Sequence, residues 1–229
     1  MHRCEPDVPP RAAAIAAQDE TTLREPWRHM RARLQAKGLL VPSEATLSLR
    51  NTADGTMWFG ARDDEAPQRM PWCGMAPSVR GAGLHAAIYA CRADVGAIAA
   101  GGGAFGLCLA DFGAVMPGVF DEQARHLGCM PAGVEDPRDL APRLGGGGNV
   151  LVARGLPVCL GMTASRATLN AELFEKCAKA YVLAMASGGH VRPLPWIVRT
   201  VANRRLLKDE RRAAQRFGLG LLPEESRGY

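Results

Sequence analysis

The chain has 229 residues, of which 47% are hydrophobic and 22% charged, and its formal net charge is +5. That balance supports one large domain with a sizeable core and excludes intrinsic disorder. The charge is compatible with anionic substrates but too small to imply a nucleic-acid partner. Seven cysteines are present, an odd number with no CxxC or CxxH pair among them. They are expected to be mostly buried free thiols in a reducing cytosol. No basic segment followed by an apolar one opens the chain, and no apolar run reaches the roughly 18 residues a membrane helix needs. A cytoplasmic protein with no membrane partner is therefore expected.

Residues 1–20 are rich in Pro and Ala and read as a flexible N-terminal tail, with a single domain over 21–229. Thr22-Leu23-Arg24-Glu25 has the form of a capping box, so a helix is expected from there. Trp27, Met30 and Leu34 follow at helical spacing, and Gly38 is a plausible C-cap. Thr46 to Arg50 alternates as a strand, Asn51 to Gly55 turns, and Thr56 to Phe59 returns as a second strand. Residues 61–80, polar and Pro-containing, read as a long loop. Leu84 to Arg92 reads as a helix with Leu84, Ile88 and Cys91 on one face. Val95 to Ala100 is a short strand, stopped by Gly101-Gly102-Gly103, which reads as a tight strand-to-helix turn. Helices are expected over 104–110, 120–127 and, briefly, 136–144, where Pro137 and Pro142 limit the last. Gly145 to Gly148 forms a flexible loop. Asn149 to Ala153 and Pro157 to Gly161 form a strand pair around Arg154-Gly155. Residues 168–186 carry the longest helical stripe, Leu169, Leu173, Cys177, Tyr181 and Ala184. Residues 195–217 form a basic C-terminal helical segment. Its charges are interrupted by Asp209 and Glu210 and lack interleaved aromatics, which favours a solvated face or subunit contact over nucleic acid.

The stretch Leu84-His85-Ala86-Ala87-Ile88-Tyr89-Ala90-Cys91-Arg92-Ala93-Asp94-Val95-Gly96-Ala97-Ile98 closely resembles a segment of the class II aldolase/adducin family. Three other segments agree in the same order. Gly38-Leu39, Leu47-Ser48-Leu49-Arg50 and Asp54-Gly55 resemble its opening. Met116-Pro117 with Gly128-Cys129-Met130-Pro131 resembles its middle, and Asn149 to Gly155 its "V-L-L-x-x-H-G" hairpin. The resemblance covers about residues 22–190. It implies an αβα fold, with a central, mostly antiparallel β-sheet flanked by helices, assembled as a homo-oligomer, usually a tetramer. In the family's aldolases three histidines hold Zn²⁺, a Lewis acid for developing oxyanion charge, and a glutamate moves the proton.

Carried over residue by residue, the chemistry is missing. The two histidines after the strand fall on Ala100 and Gly102, and the third falls on Arg154. The glutamate falls on Gly81. The phosphate-binding serines fall near Val79 and Arg80, and the Gly-Asn pair near Ala45-Thr46. Alanine and glycine have no ligating side chain, and arginine stays protonated, so no metal or other cofactor is expected where the family norm is Zn. His126 and Cys129 have H-x-x-C spacing, but two ligands do not close a zinc site. His85 matches a family residue that is not a ligand and reads as a helix residue bonded to a neighbour. Catalytic residues are not identifiable.

Three functions remain open. The chain is a non-catalytic assembly or binding protein, analogous to the adducin head domain. Alternatively it is a repurposed metal-independent lyase or small-anion binder, with Arg154 as the anion-binding residue flanked by Arg80 and Arg62. The third is a sugar-phosphate aldolase, epimerase or decarboxylase. A small anionic ligand is the expected partner of the second.

Overall fold

The structure, a computed structural model, describes residues 10–52, 54–74, 78–113 and 115–224, without the side chains of 10–22 and Pro137. Six strands form one sheet: β1 (Thr46–Arg50), β2 (Thr56–Ala61), β3 (Gln68–Pro71), β4 (Ala97–Ala100), β5 (Val150–Ala153) and β6 (Leu156–Gly161). Their order is β3-β2-β1-β4-β6-β5, and every neighbouring pair is antiparallel. Among the described residues, seven α-helices surround it: α1 (Pro10–Ala36), α2 (Ala82–Cys91), α3 (Ala104–Asp111), α4 (Asp121–His126), α5 (Leu140–Arg143), α6 (Ala164–Ala186) and α7 (Trp196–Gly218).

Alternation along the strands builds three layers, because successive side chains leave opposite faces. Leu47, Leu49, Ala97 and Ala99 pack with Trp27, Met30 and Leu34 of α1 and with Leu173, Phe174 and Cys177 of α6. Met57, Phe59, Ile98 and Ala100 pack on the other face with Ile88 and Tyr89 of α2 and with Leu140 and Leu144. The expected αβα architecture with an antiparallel sheet is therefore the one observed. A buried hydrogen bond from Trp27 Nε1 to the Leu47 carbonyl, 3.2 Å, ties α1 to the sheet.

The β1–β2 hairpin closes as expected, with the Asp54 carboxylate accepting from the Thr56 amide at 3.1 Å. Several boundaries differ from expectation. α1 starts at Pro10, so Thr22 to Glu25 lies inside a helix and does not begin one; the expected tail falls partly in α1, and its residues 1–9 lie outside the described residues. The stretch 61–80 contains β3, a short edge strand whose terminal Pro71 is tolerated there because an edge need not donate. α6 begins at Ala164, where Thr163 Oγ1 accepts the Arg166 amide as an N-cap. On α2 the buried face is Ala82, His85, Ala86, Ile88 and Tyr89, while Cys91 is exposed. Cys73 and Cys129 are exposed as well, so among the described residues only Cys159 and Cys177 are buried thiols, with Cys108 between. Trp58 is buried, but Trp196 is 68% exposed. No helix among the described residues is long and apolar enough to cross a membrane.

The C-terminal helix is held by a buried ion cluster. Arg92 donates to both oxygens of Asp94, at 2.8 and 2.7 Å, and to Glu210 of α7 at 3.0 Å. It also reaches the Gly148 carbonyl at 2.7 Å and Asn149 Oδ1 at 3.1 Å. Glu210 in turn accepts the Gly147 amide at 2.7 Å. The glycine loop 145–148 is thus clamped between α7 and Arg92. Removing one member of a buried charge set leaves the others uncompensated. Arg92→Met is therefore expected to cost about 3–5 kcal/mol, read from urea denaturation; a loss below about 1 kcal/mol would assign the cluster no more than a surface role.

Candidate functional site

The positions that matched the family's metal ligands converge at one end of the sheet. Ala100 ends β4 and pairs with Thr46, the first residue of β1, and with Val158 of β6. Just beyond it, the Gly101 amide donates to the Pro157 carbonyl at 2.9 Å. Gly102 sits at φ +110°, where a Cβ would lie 2.9 Å from Pro157 Cγ. The Gly102 backbone also bridges to the α1–β1 connection, donating to the Leu39 carbonyl and accepting from Val41. Gly103 precedes α3, and a Cβ there would meet the Glu175 carboxylate at 2.6 Å. That carboxylate accepts the amides of Phe105 and Gly106 at 2.8 and 2.9 Å, and so caps α3. The glycine run is the tight strand-to-helix turn that was expected, and its neighbours occupy the space side chains would need.

Gly81 joins the same end from α2. It is the helix N-cap at φ +84°, and a Cβ there would lie 3.2 Å from Thr46 Cγ2. Ala100, Gly102 and Gly81 are therefore neighbours through Thr46 and Pro157. Beneath them runs a buried polar chain. Thr46 Oγ1 lies 3.0 Å from His85 Nε2, His85 Nδ1 lies 2.7 Å from Ser48 Oγ, and Ser48 Oγ lies 2.8 Å from Tyr89 Oη. The His85 ring also meets Phe59 edge-on at 5.2 Å. Burial pushes His85 down to about 3 and the Tyr89 phenol well up, so both are neutral at pH 7. Each imidazole nitrogen faces a hydroxyl, which can donate or accept, so either tautomer is satisfied. His85 is thus bonded to neighbours, as expected. The partners were not anticipated, although the signal existed: Thr46 and Ser48 share a strand face at i, i+2, and His85 and Tyr89 share a helix face at i, i+4.

Arg154 occupies the two-residue turn between β5 and β6. Both turn residues have positive φ, 52° for Arg154 and 75° for Gly155, as a type I′ hairpin requires. The guanidinium is exposed and its Nε donates to the Glu135 carbonyl at 3.3 Å. An inward guanidinium filling the space beside Ala100 and Gly102 is not found; Pro157 fills that side of Gly102. The Glu122 carboxylate pairs with Lys176 at 3.1 Å. Arg62 spends its guanidinium on the carbonyls of Leu40 and Val41 and on Asp63. Arg80 is exposed. The Glu44 carboxyl is held below its usual range by its own amide and the Ser43 hydroxyl, with smaller help from Arg80 and Arg62. His126 Nδ1 lies 2.7 Å from Arg166 Nη1, and burial with that charge lowers the ring to about 4. It is an acceptor for arginine, and no group of three or more His, Cys, Asp or Glu among the described residues is placed to hold a metal.

The residues at the family's metal positions do not fit Zn²⁺. They offer no lone-pair donor, and the steric surroundings of Gly102 leave no room for one.

The fold is that of the class II aldolases. Among solved structures, the chain is similar to YgbL of Klebsiella pneumoniae, a putative aldolase/epimerase/decarboxylase, with TM-score 0.65 and 19% identity over 80% of this chain and 98% of that one. It is similar also to L-fuculose 1-phosphate aldolase from Glaciozyma antarctica, with TM-score 0.67 and 15% identity over 87% and 90%. An aldolase II superfamily protein from Pseudomonas syringae aligns with TM-score 0.65 and 15% identity over 84% and 88%. The sequence matches no protein-family model and no curated protein sequence.

His85 gives this site a measurable pH dependence. In the unfolded chain it titrates near 6.5, and in the fold near 3. Below pH 6.5 the unfolded state therefore binds the extra proton. Stability is full above that pH and falls on acidification, by up to about 1.4 kcal/mol per pH unit for one histidine. His126, lowered to about 4, acts in the same direction. Urea midpoints measured from pH 7 downward should show His85→Gln less stable at pH 7 but with a shallower acid loss than the parent chain; parallel pH profiles would show that His85 is not the buried neutral group described.

Proposed function

We propose that this chain is a non-catalytic protein on a class II aldolase-like fold, serving assembly or binding in the manner of the adducin head domain. One observation carries the proposal: the backbone of Gly102 lies against Pro157, so the wall that would present two imidazoles presents Ala100 and a proline-backed glycine instead. Glycine at 81 offers no general acid, and Ala100 and Gly102 offer no side-chain metal ligand, so these positions do not supply what stabilises an enediolate in the aldolases. The free thiols, three of them exposed, favour a reducing cytosol. A metal-independent lyase or anion binder using Arg154, Arg80 and Arg62 is weaker, because Arg62 is committed to backbone carbonyls and Arg154 bonds a surface carbonyl. The likeness to L-fuculose 1-phosphate aldolase keeps a sugar-phosphate aldolase as the rival reading.

Elemental analysis is expected to find well under one equivalent of zinc, manganese or iron, and the chain supplied with Zn²⁺ should not cleave L-fuculose 1-phosphate. Introducing Ala100→His with Gly102→His should fail to restore stoichiometric metal and should cost about 1–3 kcal/mol through overpacking and the positive φ. Stoichiometric zinc in the parent chain with aldol cleavage would replace this proposal with the rival.

We further propose that the chain assembles as a homo-oligomer, a tetramer being the form the resemblance suggests. Trp196, Ile197 and Val201 of α7 leave large apolar surface exposed, which favours burial against another copy. Light scattering at micromolar concentration should give a mass several times that of one chain; a stable monomer would refute it.

A further inference from the structure

The buried stripe of α7 consists of Leu206, Glu210, Ala213 and Phe217, which share one helix face by their spacing. Three of them are apolar, and a carboxylate stands in the middle of the face that docks the helix. Glu210 is 4% exposed. Through this face α7 holds both backbone polar groups of Gly147. The amide donates to Glu210 Oε2 at 2.7 Å, and the carbonyl accepts from Asn203 Nδ2 at 2.9 Å. A Cβ on Gly146 would meet Leu207 Cδ2 at 3.3 Å and Glu210 Oε2 at 3.4 Å, so the glycine loop lies directly on the helix.

The charges around Glu210 do not balance. Among the described residues, the charged groups that act on it are Arg92 and Asp94, from the segment after α2. Arg92 gives Asp94 two hydrogen bonds and Glu210 one. A single guanidinium thus faces two buried carboxylates, and with both ionised the enclosed set carries surplus negative charge. The glycine loop and Asn149 add only neutral groups. α4 also packs on α7 and brings Arg125 and His126, but the charges that act on His126 are Arg166, Arg125, Glu122 and Asp209. Arg50 reaches α7 at Phe217, its guanidinium carbon 5.0 Å from that ring and about two turns along the helix from Glu210. On α7 itself Asp209 lies 3.9 Å from Arg212. Burial raises the Glu210 carboxyl to about 7, against the pull of Arg92 and with the help of Asp94.

We infer that α7 is docked by a proton-linked latch, in which Glu210 keeps a proton while it sits between Arg92, Asp94 and Gly147 and gives it up when the helix lifts away. Protonation removes the surplus charge, and an uncharged carboxyl oxygen still accepts from the Gly147 amide. Lifting α7 returns the carboxyl to water, where it ionises near 4.5. The docked state is then the one that binds the extra proton. Its contribution is full below pH 4.5 and is lost as the pH rises to about 7, with no further change above. His85 and His126 act in the opposite direction, because their lowered values weaken the fold on acidification. A rise in pH therefore loosens α7 while the rest of the fold gains stability. The latch stands apart from Ala100, Gly102 and Gly81, and it does not depend on whether the chain is catalytic.

The test is hydrogen exchange on the full chain, read by mass spectrometry at about pH 5.5, 6.5 and 7.5 with the intrinsic exchange rates divided out. Protection of the α7 amides is expected to fall by up to about tenfold per pH unit between the first two points and to level off beyond the third. Protection in β4 and β6 should not fall. Glu210→Gln, a neutral side chain of the same shape, should remove the fall in α7. Asp94→Asn leaves Arg92 to Glu210 alone and should move the fall to lower pH. Because either variant can fail to fold, the parent profile decides by itself: α7 protection that stays level or rises between about pH 5.5 and 6.5 would overturn the inference. An undiminished fall in a folded Glu210→Gln would also overturn it, as would an unmoved one in a folded Asp94→Asn.

Discussion

At Gly102 the backbone turns through φ +110°, with a proline ring 2.9 Å from where a Cβ would be. This close approach sets the geometry of the whole sheet end. It lets the Gly102 amide and carbonyl bond the α1–β1 connection, which places Leu39 and Leu40 over the core. It lets α3 start at once, where Glu175 caps it. Any side chain at 102 would push Pro157, the second residue of β6, out of register with β4. A side chain at that position is therefore accommodated only if Pro157 moves.

Two polar systems stiffen the sheet at different places. The chain from Thr46 through His85 and Ser48 to Tyr89 is neutral and holds α2 to β1. The Arg92 cluster is ionic and holds the glycine loop and α7. Both are anchored on the segment 85–94, whose residues also carry the strongest resemblance to the aldolases. In this chain that segment is a structural hub: His85, Tyr89, Arg92 and Asp94 are all buried and all bonded.

Much of this was legible in the residues. The hairpins announced themselves through Asp54-Gly55 and Arg154-Gly155, and the strand β4 through its apolar run stopped by glycines. The ordered motifs pointed to the fold, which the structure shares with the aldolases. That alanine and glycine stand at positions 100 and 102 was legible too. What the sequence concealed depended on contacts distant along the chain. Nothing local says that Pro157 backs Gly102, or that Arg154 turns to the Glu135 carbonyl. The start of α1 was misplaced because Thr22 to Glu25 satisfies a local capping rule that also occurs inside helices. β3 was hidden because a short, exposed edge strand has no apolar alternation.

The strand order also dictates a timetable for synthesis. β4 lies in the middle of the sheet, between β1, made before it, and β6, made well after it. A nascent chain can close the β1–β2 hairpin early and can lay β4 along β1. The far side of β4 then stays unpaired until residues 156–161 leave the ribosome, and the hairpin that supplies them brings α6 with it. Throughout that interval the Ala97–Ala100 edge is bare and apolar, the kind of edge that chaperones cover and that other strands invade. The four residues of β4 and their abrupt stop in glycine keep that exposed edge short.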